Sequence, residues 1–195
     1  MTSGQPVRVW SLPVRLGHWL LAASVLVCLV LYEGGAWHAR LGYVALGVAA
    51  WRLVHGLLTQ DRHASFRAFM RGPRQTWAYA SALLRHVEPR HIGHNPLGAW
   101  MIGALLLSAA IAGASGALYA TDAFWGDATI YTVHQIAGWS LAALVPLHLA
   151  GVALTSLLQR ENLMLAMVTG VKGKAVAACD ADLPRGAAGR AEDLD

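Results

Sequence analysis

Two long stretches without a charged side chain constrain the fold of this sequence more than any other feature. Residues 96–118 are 23 consecutive uncharged and mostly apolar residues, and residues 130–158 are 29 more. A helix of about 20 apolar residues crosses the hydrocarbon core of a bilayer. Each stretch is therefore long enough to span a membrane as one helix.

Two further apolar stretches, residues 14–32 and 38–58, contain only a few charged side chains. They qualify as spans if Arg15 and Arg52 lie near the membrane surface, where long side chains extend to the headgroups. Charged residues make up 13% of the chain, about half of the roughly 25% typical of soluble proteins. We therefore predict an all-α integral membrane protein, a four-helix bundle within a domain at residues 8–174.

The connections between the predicted spans differ in length and composition. Residues 33–37 are so short a connection that the first two helices should be antiparallel neighbours. Within the long second connection, residues 65–87 mix aromatic and apolar side chains with arginines, which predicts an additional helix in the membrane interface. A cytoplasmic loop helix is the alternative. Residues 175–195 have no apolar periodicity and are predicted to be a disordered tail.

Positive charge is concentrated on one side of the predicted bundle. The long second connection and the two ends of the chain carry most of the arginines and lysines, whereas the first connection is flanked by Arg40 alone and the third has none. Because such residues favour the cytoplasmic side, the long second connection and both termini are predicted to be cytoplasmic. The formal net charge of +4 then reflects topology and gives no reason to expect a nucleic-acid partner. The polar start argues against a cleavable signal peptide.

Four histidines lie inside the predicted spans, where an ionisable side chain is costly and marks a candidate functional site. His18 lies near the cytoplasmic end of the first helix, and His38 lies at the outer end of the second. In the fourth helix, His134 is near the outer end and His148 is 14 residues further in. The histidines therefore form two pairs by depth, His18 with His148 and His38 with His134.

The spacing of His134 and His148 allows one helix to serve both pairs. Fourteen residues correspond to about 21 Å along a helix and return to within roughly 40° of the same face. Two histidines on one haem iron favour electron transfer over the binding of small ligands. The pattern predicts two b-type haems, the inner one between His18 and His148 and the outer one between His38 and His134.

Other interpretations of these residues stay open. Each histidine could instead form a hydrogen bond with a neighbouring helix, although matching depths in both pairs argue against this. A tetrahedral zinc site is disfavoured because no cysteine or carboxylate accompanies the pairs, and no CxxCH motif for covalent haem attachment is present. His55 competes as a ligand of the inner haem. Arg52 either contacts a haem propionate or extends to the membrane surface.

Small residues in the second, third and fourth helices, among them Gly42, Gly116 and Gly138, are consistent with two arrangements. They let membrane helices approach closely, and they also leave room for a flat macrocycle between helices. The sequence alone does not decide between close packing and a cofactor.

Several motifs resemble the bacterial cytochrome b561 family, which includes the cytochrome b subunits of nickel–iron hydrogenases. The likeness covers about residues 8–174 and is carried by VWSLP at 9–13, RLGHW at 15–19, HARLGY at 38–43, WRL at 51–53, GHNPLG at 93–98, HQIAGW at 134–139, LH at 147–148, ENL at 161–163 and MVTGVK at 167–172. The resemblance implies two haems b whose ligands match His18, His38, His134 and His148.

The resemblance also implies electron transfer across the inner membrane between a redox partner and the quinone pool. The expected partners are membrane lipid, quinone and a periplasmic or membrane redox protein; quinone oxidoreductase activity stays open. One alternative is a superoxide oxidase, but Glu33, Asp122 and Asp127 outnumber Arg40 in the outer loops, which favours a cationic or neutral donor over an anionic substrate. Another is a haem-bearing membrane anchor subunit of a hydrogenase or dehydrogenase.

Overall fold

The computed structural model describes residues 7–59, 96–159 and 161–172, and four long helices dominate them. These are α1 (Leu12–Val30), α2 (Ala36–Leu58), α3 (Pro96–Tyr119) and α4 (Ala128–Gln159). All four are long and apolar enough to cross a membrane, so the prediction of an all-α four-helix membrane protein is confirmed. The interfacial helix predicted within residues 65–87 and the predicted tail lie outside the described residues, and the limits of the domain remain a prediction.

Local sequence signals explain where the helices begin and turn. Pro13 lies in the first turn of α1, where an amide hydrogen would have no partner within the helix. Between α1 and α2, Gly34 and Gly35 have φ angles of 95° and 101°, which other residues rarely adopt. Before α4, the Asp127 carboxylate accepts a hydrogen bond of 2.9 Å from the amide of Ile130, as an N-terminal cap does.

The helices pack against one another in chain order. α1 contacts α2, α2 contacts α3 and α3 contacts α4, whereas α1 and α4 form no comparable interface. Where α2 and α3 pack, a Cβ on Gly113 would lie 2.7 Å from Cβ of Leu46, so a larger residue at this position would force the helices to shift. The main core consists of small and medium apolar side chains: Val25, Ala45, Ala49, Ala99, Leu106, Ala109 and Leu141. The described helices therefore form no close interface between α1 and α4.

Large apolar side chains cover the outside of the helices. Val30, Trp139 and Leu157 are 75%, 70% and 77% exposed, respectively. Soluble monomers rarely expose continuous apolar surface of this extent. In hydrocarbon the same surface contacts lipid tails of matching polarity, which is consistent with a membrane protein.

A short pairing joins the two ends of the described chain. β1 (Val7–Arg8) pairs antiparallel with β2 (Val171–Lys172). β2 follows the seven-residue helix α5 (Leu163–Thr169), which ends at Gly170 with a φ angle of 81°. Neither α5 nor this pairing was predicted from the sequence. The pairing places both ends of the bundle on the same side, as an even number of spans requires.

Hydrogen bonds to the end of α5 fix the start of α1. The amides of Val9 and Trp10 both donate to the carbonyl of Gly170, at 2.9 and 3.2 Å. The guanidinium of Arg15 donates to the carbonyl of Val168. The first turn of α1 is therefore anchored by the segment that follows α4.

Candidate functional site

Two histidine rings from different helices meet near the N-terminal ends of α2 and α4. His38 is the third residue of α2, and His134 is the seventh residue of α4. Their ring centres are 5.9 Å apart, the ring planes are inclined by 70°, and both residues are half-buried. The structure thus brings together the two residues that the sequence paired in the outer half of the bundle.

The distance between these two rings suits a shared metal. Bonds from imidazole nitrogen to first-row metals such as zinc are about 2 Å long. Two imidazoles on opposite sides of one metal therefore have ring centres about 6 Å apart. The observed 5.9 Å between His38 and His134 is close to that separation.

Each of the two rings is held by a backbone carbonyl. Nδ1 of His38 lies 3.2 Å from the carbonyl oxygen of Cys28, and Nδ1 of His134 lies 2.9 Å from that of Ala112. A carbonyl only accepts, so the proton is on Nδ1 and Nε2 keeps its lone pair. Histidines that bind metals typically donate their other ring N–H in this way. Both rings are therefore prepared for ligation through Nε2.

The hydrogen bond between His38 and Cys28 forms because α1 ends there. Cys28 lies in the last turn of α1, where carbonyl groups lack a partner within the helix. His38, immediately after the turn, supplies a donor to one of them. In the same contact the Cys28 thiol donates to the backbone carbonyl of His38 at 3.5 Å, so the two helix ends are tied in both directions.

Glycines surround the outer pair in two different ways. One turn after His38 and one turn after His134, Gly42 and Gly138 are half-buried, yet an added Cβ would meet nothing within 4 Å. On the other side, a Cβ on Gly116 would lie 3.0 Å from Cε1 of His134. The site is therefore open along the histidine-bearing faces and tight behind His134, as a pocket for a flat group requires.

The inner pair spans the side of the bundle where α1 and α4 do not pack. His18 in α1 and His148 in α4 are both half-buried. The ring of His18 also makes an edge contact with Trp19, with ring centres 5.3 Å apart. α4 links the two pairs, because its His134 and His148 are 14 residues apart, about 21 Å along the helix.

The remaining two candidates lie near the end of α2. Arg52 and His55 are half-buried, and the His55 ring stacks on Trp51 with ring centres 5.2 Å apart. The structure describes no ring contact between His55 and either His18 or His148. A propionate contact of Arg52 remains a prediction.

The donor set suits a haem better than a bare metal ion. A structural zinc site is tetrahedral and needs four protein ligands. In residues 7–59, 96–159 and 161–172, not even three histidine, cysteine or acidic residues are grouped closely enough to hold a metal ion. Haem carries its own ring of nitrogen ligands and takes only axial ligands from the protein. Two imidazoles with free Nε2 atoms, beside open glycine faces, fit that requirement.

Sequence reasoning missed the groups that orient the outer rings. The carbonyls of Cys28 and Ala112 belong to the backbone, which carries no signal in the sequence. Gly116 was recognised only as one of many small residues. Its spacing of one turn from Ala112 on the face that receives His134 was the available signal, but it becomes informative only when the packing of α3 on α4 is known.

Comparison with family models assigns the chain to a known family. A family model described as prokaryotic cytochrome b561 matches residues 9–170, which is more than four fifths of the chain. No curated protein and no solved structure matches the chain.

Gly116 provides a test of the tight side of the outer site. We expect Gly116→Ala to lower the free energy of unfolding by about 1–3 kcal/mol, the usual effect of overpacking, because the new methyl group would lie 3.0 Å from the His134 ring. The measurement is denaturant unfolding of the purified protein in detergent micelles.

The matched control is Gly103→Ala in the same helix, where an added Cβ meets nothing within 4 Å. Its free energy of unfolding should be unchanged or higher, since alanine favours helix over glycine by up to about 1 kcal/mol. Equal losses in both variants would contradict the described contact of Gly116 with His134.

Proposed function

Because the chain belongs to the prokaryotic cytochrome b561 family, we propose that it is a di-haem b-type cytochrome that transfers electrons across the bacterial inner membrane between a redox partner and the quinone pool. Family membership and the four apolar helices make it a membrane protein of the haem-b electron-transfer class. The number of haems, their ligands, the quinone and the orientation are the proposed part.

The outer histidine pair is the observation that carries the proposal. The rings of His38 and His134 meet in an edge contact with centres 5.9 Å apart, and each donates its Nδ1 hydrogen to a helix carbonyl. A histidine with a purely structural role would need a hydrogen bond for its ring, but it would not need a second histidine ring beside it. The arrangement supports His38 and His134 as ligands of an outer haem. The matching depths of His18 in α1 and His148 in α4 support these two as ligands of an inner one.

Bound haem b supplies a one-electron redox centre at each pair. Two histidines saturate the iron, which favours electron transfer over ligand binding. α4 holds one ligand of each pair about 21 Å apart along its axis, a large part of the roughly 30 Å hydrocarbon core. The helix thereby spaces two redox centres between the two membrane surfaces.

The orientation and the outer partner are inferred from charge. The arginine-rich long connection and both termini are placed on the cytoplasmic side, so that α1–α2 and α3–α4 turn on the periplasmic side. Glu33, Asp122 and Asp127 are all exposed there, and the exposed Arg40 lies over the ring of Trp37, 5.1 Å from its centre. A net charge of −2 favours a cationic or neutral periplasmic donor.

Histidine substitutions test the assignment of the four ligands. The native protein should contain two haems b per chain. His38→Ala and His134→Ala should each remove the outer haem, and His18→Ala and His148→Ala the inner haem, because haem iron with one axial ligand is held weakly. Haem per protein by the pyridine haemochrome assay, combined with redox titration, identifies which haem is lost.

The matched control is His55→Phe, which removes a histidine from α2 without touching either pair and should retain both haems. The assignment is wrong if the two variants of one pair lose different haems, or if the native protein holds fewer than two.

The charge of the outer surface sets a second expectation. A cationic protein donor should reduce the haems faster than an anionic donor of matched potential at low salt, because complementary charge raises the rate of encounter. Raising the ionic strength should remove most of the difference, since exposed charges are screened over about 8–10 Å at 0.10–0.15 M salt. Stopped-flow reduction kinetics measure both effects.

Asp122→Asn should reduce the advantage of the cationic donor. A neutral small-molecule reductant serves as the control and should reduce the variant and the native protein at equal rates. If the anionic donor is faster at low salt, or salt affects neither donor, the acidic outer surface has no part in partner choice.

A further inference from the structure

The last turn of α2 contains a histidine that neither pair uses. His55 is half-buried, and its Nδ1 atom is buried without a hydrogen-bond partner among the residues that the structure describes. Buried polar groups almost always have a partner, from the protein, water or a ligand. In a membrane helix, lipid tails cannot supply one. Within residues 7–59, 96–159 and 161–172 nothing satisfies this atom, so the His55 ring is positioned to bind a group from outside the described helices.

Trp51 forms a flat wall beside this ring. The two ring planes are inclined by only 27°, with centres 5.2 Å apart. Trp51 in turn packs against α1, where a Cβ on Gly17 would lie 2.7 Å from Cζ3 of Trp51. Gly17 directly precedes His18, and His55 follows Trp51 by four residues, about 6 Å along the helix. The unused histidine thus lies about one turn from the level of the inner pair.

The surroundings of His55 open toward lipid. Val54, Leu57 and Leu58 are 55%, 58% and 77% exposed, and Trp51 is itself partly exposed at 38%. A ligand would therefore reach His55 from the bilayer and must be soluble in it. It must also be flat enough to lie beside an indole ring, and it must carry an oxygen that accepts a hydrogen bond from imidazole.

We propose that Trp51 and His55 form a binding site for a quinone head group, in which the quinone ring lies against Trp51 and one carbonyl oxygen accepts a hydrogen bond from the His55 ring. A quinone combines a lipid-soluble tail, a flat ring and carbonyl acceptors. The site rests on the proposed exchange of electrons with the quinone pool and adds its location, next to the inner histidine pair. Arg52 lies between the two residues in the chain but has no assigned part in binding.

Two variants of His55 separate the hydrogen bond from the packing. His55→Phe keeps an aromatic ring against Trp51 and removes the donor, whereas His55→Gln restores a donor of similar reach. Ser24→Ala is the matched control, because Ser24 in α1 also has a buried hydroxyl without a partner among the described residues but lies six residues from His18. All proteins are prepared with their haems in lipid nanodiscs.

Binding of a decyl-substituted benzoquinone is measured by isothermal titration calorimetry. We expect His55→Phe to weaken binding about tenfold, equivalent to about 1.4 kcal/mol and within the range for one buried hydrogen bond. His55→Gln should recover most of the affinity, and Ser24→Ala should bind as the native protein does. With ¹³C-labelled quinone, the infrared carbonyl band should shift to lower frequency in the native protein and not in His55→Phe.

Haem content and redox potentials of the same samples separate the possible failures. Equal quinone affinity in the native protein and in His55→Phe overturns the site and leaves the proposed function standing. No quinone binding by the fully haem-loaded native protein overturns both the site and the proposed quinone exchange. Loss of a haem in His55→Phe, or a shifted inner-haem potential with unchanged quinone affinity, assigns His55 to the haem instead and also overturns the site.

Discussion

A histidine inside a bilayer must find its hydrogen-bond partners within the protein, because the surrounding lipid offers none. Within the part of the chain that the structure describes, His38 and His134 meet this requirement at Nδ1, through the carbonyls of Cys28 and Ala112. The same bonds fix the tautomer and leave each Nε2 with a lone pair. This constraint organises the end of the bundle that contains His38 and His134: the α1–α2 turn, the packing of α3 on α4 and Gly116 behind His134 all hold the two rings in place.

The helices of the bundle pack unevenly, and the histidine pairs lie where the packing is open. α3 connects α2 and α4 by close contacts, whereas α1 and α4 approach without a comparable interface. His18 and His148 lie on that loose side, and Gly42 and Gly138 leave half-buried open space beside the outer pair. Because α1 and α4 make few contacts with each other, a group bound between them could supply the missing packing. Under the proposed function, the haems provide it and thereby stabilise the fold that binds them.

Much of the fold could be predicted because membrane helices obey simple physical limits. The charge-free stretches within α3 and α4 are too long and too apolar for anything but spans, and the 1.5 Å rise per residue places His134 and His148 at two depths. The carbonyl of Cys28 could not be predicted, since every residue carries one. α5 and the β1–β2 pairing are too short for an apolar period to appear. Gly116 becomes significant only in contact with His134.

The most direct test of the two-site account is a density map of the haem-loaded protein in lipid nanodiscs at a resolution that shows side chains. The account predicts one haem with Nε2 of His38 and Nε2 of His134 on opposite faces of its iron, while each Nδ1 stays bonded to its carbonyl. A second haem should lie between His18 and His148. A single haem, an iron ligated by His55, or an Nδ1 atom of His38 or His134 on iron would contradict it.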